Sequence, residues 1–369
     1  MKKESTGKKI GRVLGRIAAI LFGSLAVIFA GLYTTMWIFC HGPSEAARDL
    51  FVSTMLETGA LKFVVGWYYD TDEVLAITGN NNMVHSDAEV DTGLITVGGS
   101  TGEGEATASS SAYPYEDDLE FDENGIAIVE LAGRSYYAKL MIVKDPSRVS
   151  VATIYPWSDD KSGSTLDVLV ASAGAIAGVN GGEYVSDNNW GGRPKGLVVS
   201  NGQIQYNSPQ WGDVMVGFNE DDILVIRDTG SMSADQVSTM VSEERIRDAV
   251  SFKDVDDGDV NHFTKLIING EAIQLNGSGS GANPRTAIGQ RADGAVLLLV
   301  TDGRGASGHL GATAADLISI MQQYGVVNAA NVDGGSSSSM VYNGVFEMTS
   351  VTMYFANSSW NLPDAFVVK

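Results

Sequence analysis

A run of 24 residues without a charge, "IAAILFGSLAVIFAGLYTTMWIFC" at 17–40, is the feature that most constrains this chain. At a rise of about 1.5 Å per helical residue, such a run crosses a hydrocarbon core of roughly 30 Å. Tyr33 and Trp37 stand near its C-terminal end, where amphipathic rings favour the interface between lipid and water. The sequence therefore predicts a transmembrane helix over 17–40.

The residues on either side of this run predict its orientation. Residues 1–16 carry six Lys or Arg side chains and one acid, and a basic flank tends to stay in the cytoplasm. A cleaved signal peptide would have a shorter apolar region and small residues before its cleavage site, whereas this run ends in "MWIFCHGP". We expect a bacterial single-pass membrane protein with a cytoplasmic tail, 1–16, and an extracellular body.

The body itself is strongly acidic. The formal net charge of the chain is −21, and setting residues 1–16 aside leaves 18 basic against 44 acidic residues, a net of −26. Such a surface repels nucleic acid, so we expect no nucleic-acid partner. The single cysteine, Cys40, excludes an intrachain disulfide and a cysteine-based zinc site. No cofactor is expected, although the loop "DVDDGD", 254–259, could bind calcium loosely.

Composition divides the body into three segments. Residues 41–85 predict a juxtamembrane helical segment, in which Ser44 is the N-cap of a helix over 43–66. Residues 86–125 are acidic and rich in Gly and Ser, which is typical of a flexible linker. The remaining residues, 126–369, predict a single α/β (α+β) catalytic domain built on a mixed sheet, which we expect to fold without the linker.

Three apolar runs in this domain each end in a polar residue followed at once by glycine. They are "AGAIAGVNGG", which ends at Asn180, "GAVLLLVTDGR", which ends at Asp302, and "GVVNAANVDGG", which ends at Asp333. Glycine permits a sharp exit from a strand and close approach of a ligand to the backbone. Since strand ends on a common side are where α/β folds place their sites, we expect these side chains to be functional.

The helix between the last two runs connects them. Thr313 and Asp316 form a capping box at its start, and Gly325 ends it. Asp302 and Asp333 therefore belong to one strand–helix–strand unit. If its two strands are adjacent and parallel, both carboxylates emerge at the same edge, and such a pair suits glycosidic cleavage.

The serines after Asp333, in "NVDGGSSSSM" at 331–340, leave alternatives open. A nucleophile elbow needs G-x-S-x-G, and the last glycine is missing here. A Ser-His-Asp triad through His309 remains an alternative without a motif behind it. We prefer a turn whose hydroxyl and N–H groups bind sugar or phosphate oxygens. Arg285, in "NPRTAIG", has the planar donor fork that suits a phosphate.

Several motifs together resemble the phosphodiester glycosidase family. They are "GVNGGEY", "PKGLVVSNGQI", "NPRTAIGQRADGAVLLLVTDGR", "GATAADLISIMQQYGVVNAANVDGGSSSSMVYNG" and "LPDAFVV", in the family's order over roughly 126–369. The resemblance implies a hydrolase that cleaves a sugar-1-phosphodiester, such as an N-acetylglucosamine-1-phosphate diester, into free sugar and a phosphomonoester. The membrane-anchored layout is similar to bacterial members associated with exopolysaccharide biosynthesis. Trp360-Asn361 stand before "LPDAF", where the family leads us to expect an arginine.

The resemblance also implies which residues form the site. The catalytic carboxylates are Asp302 and Asp333, with Glu183 as a reserve acid, and spacing does not say which is acid and which is base or nucleophile. The residues expected to bind substrate are Asn180, Gly181, Arg285, Thr286, Arg304, Gly334, Gly335, Ser336 and Ser337. Two alternatives remain: a non-catalytic carbohydrate-binding protein of exopolysaccharide or cell-wall assembly, and a serine enzyme that transfers acyl groups.

Overall fold

The computed structural model describes residues 6–58, 61–97, 113, 115–116, 119–154, 163–185, 192–254, 262–349 and 358–369. Within these ranges the helices are α1 (Thr6–His41), α2 (Glu45–Glu57), α3 (Lys62–Val65), α4 (Thr71–Gly79), α5 (Leu166–Ser172), α6 (Ala234–Glu243) and α7 (Ala314–Gln323). The strands are β1 (Ile126–Ala132), β2 (Tyr137–Val143), β3 (Val149–Thr153), β4 (Ala177–Asn180), β5 (Gly196–Ser200), β6 (Gln203–Ser208), β7 (Asp213–Asn219), β8 (Leu224–Asp228), β9 (Ile246–Lys253), β10 (Lys265–Ile268), β11 (Glu271–Ala272), β12 (Thr286–Arg291), β13 (Val296–Thr301), β14 (Val326–Val332), β15 (Met340–Tyr342), β16 (Val345–Met348) and β17 (Asp364–Val368).

Helix α1 contains the predicted apolar run and extends beyond it at both ends. Its stretch Ile10–His41 is the one helix in the described ranges that is long and apolar enough to cross a membrane. Large apolar side chains on α1, such as Ile20 and Phe22, are exposed rather than packed against the rest of the chain. The apolar helix is confirmed, while its passage through a membrane and its orientation stay predictions.

The described strands form three sheets. Their orders are β1-β2-β13-β12-β14-β10-β11, β16-β15-β4-β17-β3 and β6-β5-β9-β7-β8. Helices and sheets occur together, so the α+β class is confirmed. The expectation of a mixed sheet is wrong, because every adjacent pair with a defined register is antiparallel. The largest core cluster is built around the first sheet, in which all of β12 and β13 are buried.

The strand–helix–strand unit forms as predicted, but its strands are not neighbours. Thr313 accepts from the backbone N–H of Asp316 in a capping box, and α7 connects β13 to β14. Strand β12 lies between these two and pairs antiparallel with both. They are therefore parallel to each other but two strand spacings apart, about 10 Å. Asp302 and Asp333 leave the same edge of the sheet without entering from adjacent strands, because β12 fills the gap.

The juxtamembrane segment packs onto the C-terminal part of the chain. Ser44 caps α2 as predicted, accepting from the N–H of Ala47, but the expected single helix over 43–66 ends at Glu57 because Thr58 is extended. The amide of Asn81 donates 3.0 Å hydrogen bonds to the Ser53 hydroxyl and the Ser280 carbonyl. Further along, the two ends of the predicted linker touch the domain: the N–H of Thr96 donates to Ala292, and the Tyr115 hydroxyl donates to Tyr324. The domain boundaries stay predictions.

Candidate active site

Asn180 joins two sheets at the place where the predicted site residues meet. It is the last residue of β4 and is fully buried. Its Nδ2 donates to the carbonyl of Asp333 at 2.5 Å, and its Oδ1 accepts from the hydroxyl of Thr286 at 2.7 Å and from the N–H of Ser339 at 3.2 Å. The N–H of Asp333 in turn donates to the carbonyl of Gly181 at 3.2 Å. Asn180 and Thr286 thus hold the end of β14 against the end of β4, and direct substrate contact by them stays a prediction.

The glycines of the site make room for neighbouring protein atoms. A Cβ at Gly181 would collide with the Oδ1 of Asp364, and one at Gly334 would lie 2.9 Å from the carbonyl oxygen of Pro284. Gly335 has a φ of +62°, and its Cβ would lie 2.6 Å from the Nη2 of Arg304. These glycines let a carboxylate, a backbone carbonyl and an arginine approach the backbone closely.

Asp333 lies beside a second buried carboxylate, Asp364, which the sequence analysis did not select. Asp364 begins β17, and its Oδ1 accepts from the N–H of Gly182 at 2.7 Å. Within the described residues its Oδ2 is buried without a hydrogen-bond partner. Burial raises the pKa of each of the two carboxyl groups to about 7, and the charge of Asp333 adds to the effect on Asp364. Two such groups can hold and exchange a proton near neutral pH.

Two arginines, Arg285 and Arg304, lie near Asp333. Arg285 and Arg304 interact electrostatically, and burial together with the charge of Arg285 lowers the pKa of Arg304. The guanidinium of Arg285 lies over the ring of Phe263, 4.9 Å from its centroid. In the described part of the chain, the Nε atom of each arginine is buried with no hydrogen-bond partner. Two neighbouring cations, each with an unused buried donor, favour an anion between them.

Glu57, at the end of α2, also reaches this place. Its carboxylate pairs with the Nη2 of Arg285, and it accepts from the N–H of Gly281 at 2.7 Å and from the Nδ2 of Asn283 at 2.9 Å. The same Nη2 donates to the carbonyl of Gly281 at 3.0 Å. The side chains of Arg285 and Glu57 are 10% and 6% exposed, so the pair is a buried ion pair. The juxtamembrane segment therefore contributes a charge to the site.

Asp302 is engaged by the protein on both carboxylate oxygens. Its Oδ1 accepts from the N–H of Tyr137 at 2.7 Å, and its Oδ2 lies 2.6 Å from the Nδ1 of His309. The carboxylate is nearly buried, while the His309 side chain is 30% exposed. Asp302 is thus placed to orient the imidazole of His309.

The serine turn supports the site through several hydroxyl groups. Ser336 accepts from the Nη1 of Arg304 at 2.9 Å. Ser337 lies 3.1 Å from the hydroxyl of Tyr184 and hydrogen-bonds the Asp333 side chain, which lowers the pKa of Asp333 against the larger effect of burial. Ser339 donates to the carbonyl of Ser337 at 2.9 Å. These contacts orient Arg304 and Asp333.

The remaining predicted groups lie around this centre. Glu183 is paired with Lys195, and its charge contributes to the raised pKa of Asp333, which places it nearby. The charge of His262 lowers that pKa, which places His262 near Asp333 as well. Of the calcium-binding loop expected at 254–259, Asp254 is described, and residues 255–259 lie outside the described residues.

The structure brings most of the predicted residues together. The hydrogen bonds and electrostatic contacts above connect Asn180, Gly181, Glu183, Arg285, Thr286, Arg304, Asp333, Gly334, Gly335, Ser336 and Ser337. Asp302 stands apart with His309. Sequence reasoning missed Glu57, Tyr184 and Asp364. The signal for Asp364 was present in "LPDAF", where a carboxylate directly precedes an apolar strand.

Comparison with known proteins gives a matching family model, described as phosphodiester glycosidase, over residues 173–369. The mouse N-acetylglucosamine-1-phosphodiester alpha-N-acetylglucosaminidase is 27% identical over 221 residues, which cover 58% of this chain and 41% of the mouse protein. The chain thus spans about two fifths of the length of that curated relative. An uncharacterized protein derived from the SPbeta prophage of Bacillus subtilis is 41% identical over 64 residues, 17% of this chain and 10% of that protein.

Among solved structures, the catalytic domain of the zebrafish N-acetylglucosamine-1-phosphodiester alpha-N-acetylglucosaminidase, auto-inhibited by its pro-peptide, is similar to this chain. The TM-score is 0.49 at 19% sequence identity, and the similarity covers 68% of this chain and 86% of the zebrafish domain.

Proposed function

Because this chain belongs to the phosphodiester glycosidase family, we propose that it hydrolyses a sugar-1-phosphodiester to free sugar and a phosphomonoester. The mouse relative acts, by its name, on an N-acetylglucosamine-1-phosphodiester, and we propose that sugar class here. The observation that carries the proposal is the pair Arg285 and Arg304. Arg285 is buried and Arg304 is half-buried, and the Nε atom of each is buried without a hydrogen-bond partner within the described residues.

The leaving group of the proposed reaction is a phosphomonoester, and the two arginines can stabilise its charge. A phosphomonoester has a second pKa near 6, so it leaves as an anion and needs charge stabilisation more than protonation. Arg285 and Arg304 supply that stabilisation as the bond between the anomeric carbon and the phosphate oxygen breaks. The bonding electron pair departs with the phosphate oxygen.

Asp333 acts on the other side of the sugar in its ionised form. It either takes a proton from the water that attacks the anomeric carbon, or attacks that carbon itself before water releases the sugar. A pKa of about 7 suits a base at neutral pH. Asp364 and Ser337 tune and orient it, while Asp302 acts as a positioning residue through His309.

We further propose that α1 anchors the chain in a bacterial membrane, with the tail in the cytoplasm and the body outside. The support is the length and apolar character of Ile10–His41 and the basic residues before it. The substrate would then be a cell-surface glycan, in exopolysaccharide or cell-wall metabolism.

The test is product analysis on a synthetic N-acetylglucosamine-1-phosphate methyl diester and on UDP-N-acetylglucosamine, in water labelled with ¹⁸O. Glycosidic cleavage puts the label on the anomeric hydroxyl of free N-acetylglucosamine. A label on phosphate, or release of N-acetylglucosamine 1-phosphate, would mean cleavage at phosphorus and would contradict the proposal.

Two conservative variants test the assigned roles. We expect Asp333→Asn to lower kcat by about 10²–10⁴, the usual cost of losing a general acid or base. Asp302→Asn, which keeps a group for the Tyr137 N–H but loses the charge beside His309, should also lower activity strongly. Ser337→Ala should have only a modest effect. Circular dichroism of each variant controls for the fold.

The serine-enzyme alternative retains one specific observation, the 2.6 Å contact between His309 and Asp302. In the described residues, however, His309 pairs with Asp302, while Ser336 and Ser337 hydrogen-bond to Arg304 and Tyr184. If Asp333→Asn retained near-parent rates while one serine variant was inactive and a fluorophosphonate probe labelled the parent, the serine mechanism would replace ours.

A further inference from the structure

A group of apolar side chains follows α2 and is exposed although it is not part of the predicted span. Leu61, Phe63 and Trp67 are 39%, 59% and 50% exposed. The other apolar side chains of this turn, Val64 and Val65, are buried. Val65 packs in the small core between α2 and α4. The segment 61–67 therefore has two apolar faces, of which the body covers only one.

The exposed face lies against the C-terminal half of α1. The ring of Trp67 is 6.2 Å from that of Phe29 and 5.3 Å from that of Phe63. The next residue, Tyr68, stacks on Tyr33 at 5.2 Å and donates to its carbonyl at 3.3 Å. These contacts fix the segment 61–67 along α1 rather than beyond its end.

The position of Phe29 gives the depth of this segment. Phe29 is 12 residues before His41, which at 1.5 Å per residue is about 18 Å along the helix axis. Tyr69 returns to the end of α1, where its hydroxyl donates to the Cys40 carbonyl. The chain then becomes acidic at exposed Asp70. The side chains of Trp67, Tyr68 and Tyr69 thus contact α1 at Phe29, Tyr33 and Cys40, in order along the helix.

We propose that Leu61, Phe63 and Trp67 form a second membrane contact, inserted in the outer leaflet beside α1. The proposal rests on the membrane anchoring proposed above. The occupant is lipid because the exposed face continues the outward face of a helix that is apolar all round. Transfer of these apolar side chains from water to lipid is favourable, and Lys62 can extend its ammonium group towards the headgroups. The backbone N–H groups of Trp67 and Tyr68 donate to the carbonyls of Val64 and Val65. These polar groups are therefore paired, as a low-dielectric environment requires.

Such a contact has a consequence for the site. Helix α2 connects directly to this segment and ends at Glu57, which is paired with Arg285. A membrane contact on both α1 and 61–67 holds the body at one orientation, with the site at a fixed height above the lipid.

The experiment uses the full chain in phosphatidylcholine vesicles, with Cys40→Ser as background and one introduced cysteine carrying an environment-sensitive fluorophore. The sites are Phe63→Cys, Phe29→Cys in α1, and Val345→Cys, which is a matched control because Val345 is 61% exposed against 59% for Phe63. We expect brominated lipid to quench the label at 63 and at 29, and aqueous iodide to quench it only at 345.

Each other outcome overturns the proposal in a recognisable way. Lipid quenching at 29 with iodide quenching at 63 would leave the anchor in place and remove the second contact. Iodide quenching at 29 as well would remove the anchor itself. Protection of the label at 63 from both quenchers would mean that a protein surface, such as a second copy of the chain, covers the face instead of lipid.

Discussion

The two buried carboxyl groups Asp333 and Asp364 make the residue-scale chemistry dependent on pH. In the native chain the pKa of each is raised to about 7, whereas an unfolded aspartate titrates near 3.9. Between these values the native state binds more protons than the unfolded state, so the stabilisation is fully present below about pH 4 and is lost as the pH rises through 7. The cost of ionising a buried carboxyl therefore appears at neutral and alkaline pH.

Asp364→Asn tests this directly. The amide cannot ionise, so we expect the variant to lose less thermal stability than the parent between pH 5 and pH 8, and to melt higher than the parent at pH 8. Thermal unfolding of the full chain in detergent at the two pH values gives the comparison, with Asp235→Asn, on the exposed face of α6, as control. An equal shift of the Asp364→Asn melting temperature at both pH values would show that ionisation is not responsible.

At this scale the pattern of a polar residue between a strand and a glycine selected two residues that the structure brings together. They are Asn180 and Asp333, joined by a hydrogen bond from the Asn180 amide to the Asp333 carbonyl. Asp364 was missed because it stands at the start of β17, which runs antiparallel to β4 and brings its first residue to the last residue of β4. A search for polar residues after strands finds only half of the residues at one edge of an antiparallel sheet. The other half stand at the start of strands. Glu57 was missed because nothing local in the sequence indicates its partner Arg285, which is 228 positions away.

At the scale of elements, the order of strands was the main error. Periodicity identified β13, α7 and β14 with their caps, but nothing local in the sequence shows that β12 pairs with both strands. The helix expected over 43–66 fails for a similar reason. Its apolar spacing continues past Thr58, whereas the tertiary contacts of Glu57 with the loop before β12 require the helix to end.

The contact between α2 and this loop leads to a prediction. Removing one partner of a buried ion pair typically costs about 3–5 kcal/mol, because the other charge stays buried and uncompensated. We expect Glu57→Gln to lower the melting temperature and to lower kcat/KM on the phosphodiester, since Arg285 loses the group that fixes its guanidinium. Glu45→Gln, an exposed change in the first turn of the same helix, should leave both unchanged.

A lower KM in the Glu57→Gln variant would have a different meaning. If Glu57→Gln lowered KM, the carboxylate would compete with the substrate phosphate for Arg285. Glu57 would then be an inhibitory group of the site, and not a positioning one.

At the scale of the whole molecule, the membrane topology of the chain can be tested directly. The basic flank and the apolar run predict that the body faces the outside. Protease added to intact cells should therefore release it, and the composition of 86–125 predicts cleavage in that segment with a resistant C-terminal fragment. Detection uses antibodies against the C-terminus, and a cytoplasmic protein serves as control for lysis. Full protection of the body would reverse the orientation.

The ion pair between Glu57 and Arg285 joins two residues that are synthesised at different times. Its two residues are 228 positions apart, and ribosomes add about 5–20 residues per second, so Glu57 is made roughly 10–50 seconds before its partner. During that interval α1 is already available for insertion, while the loop that α2 packs against does not yet exist. Attachment of 61–67 to lipid would keep α2 in place as synthesis continues. The membrane would then serve as a temporary template on which the later part of the chain completes its site.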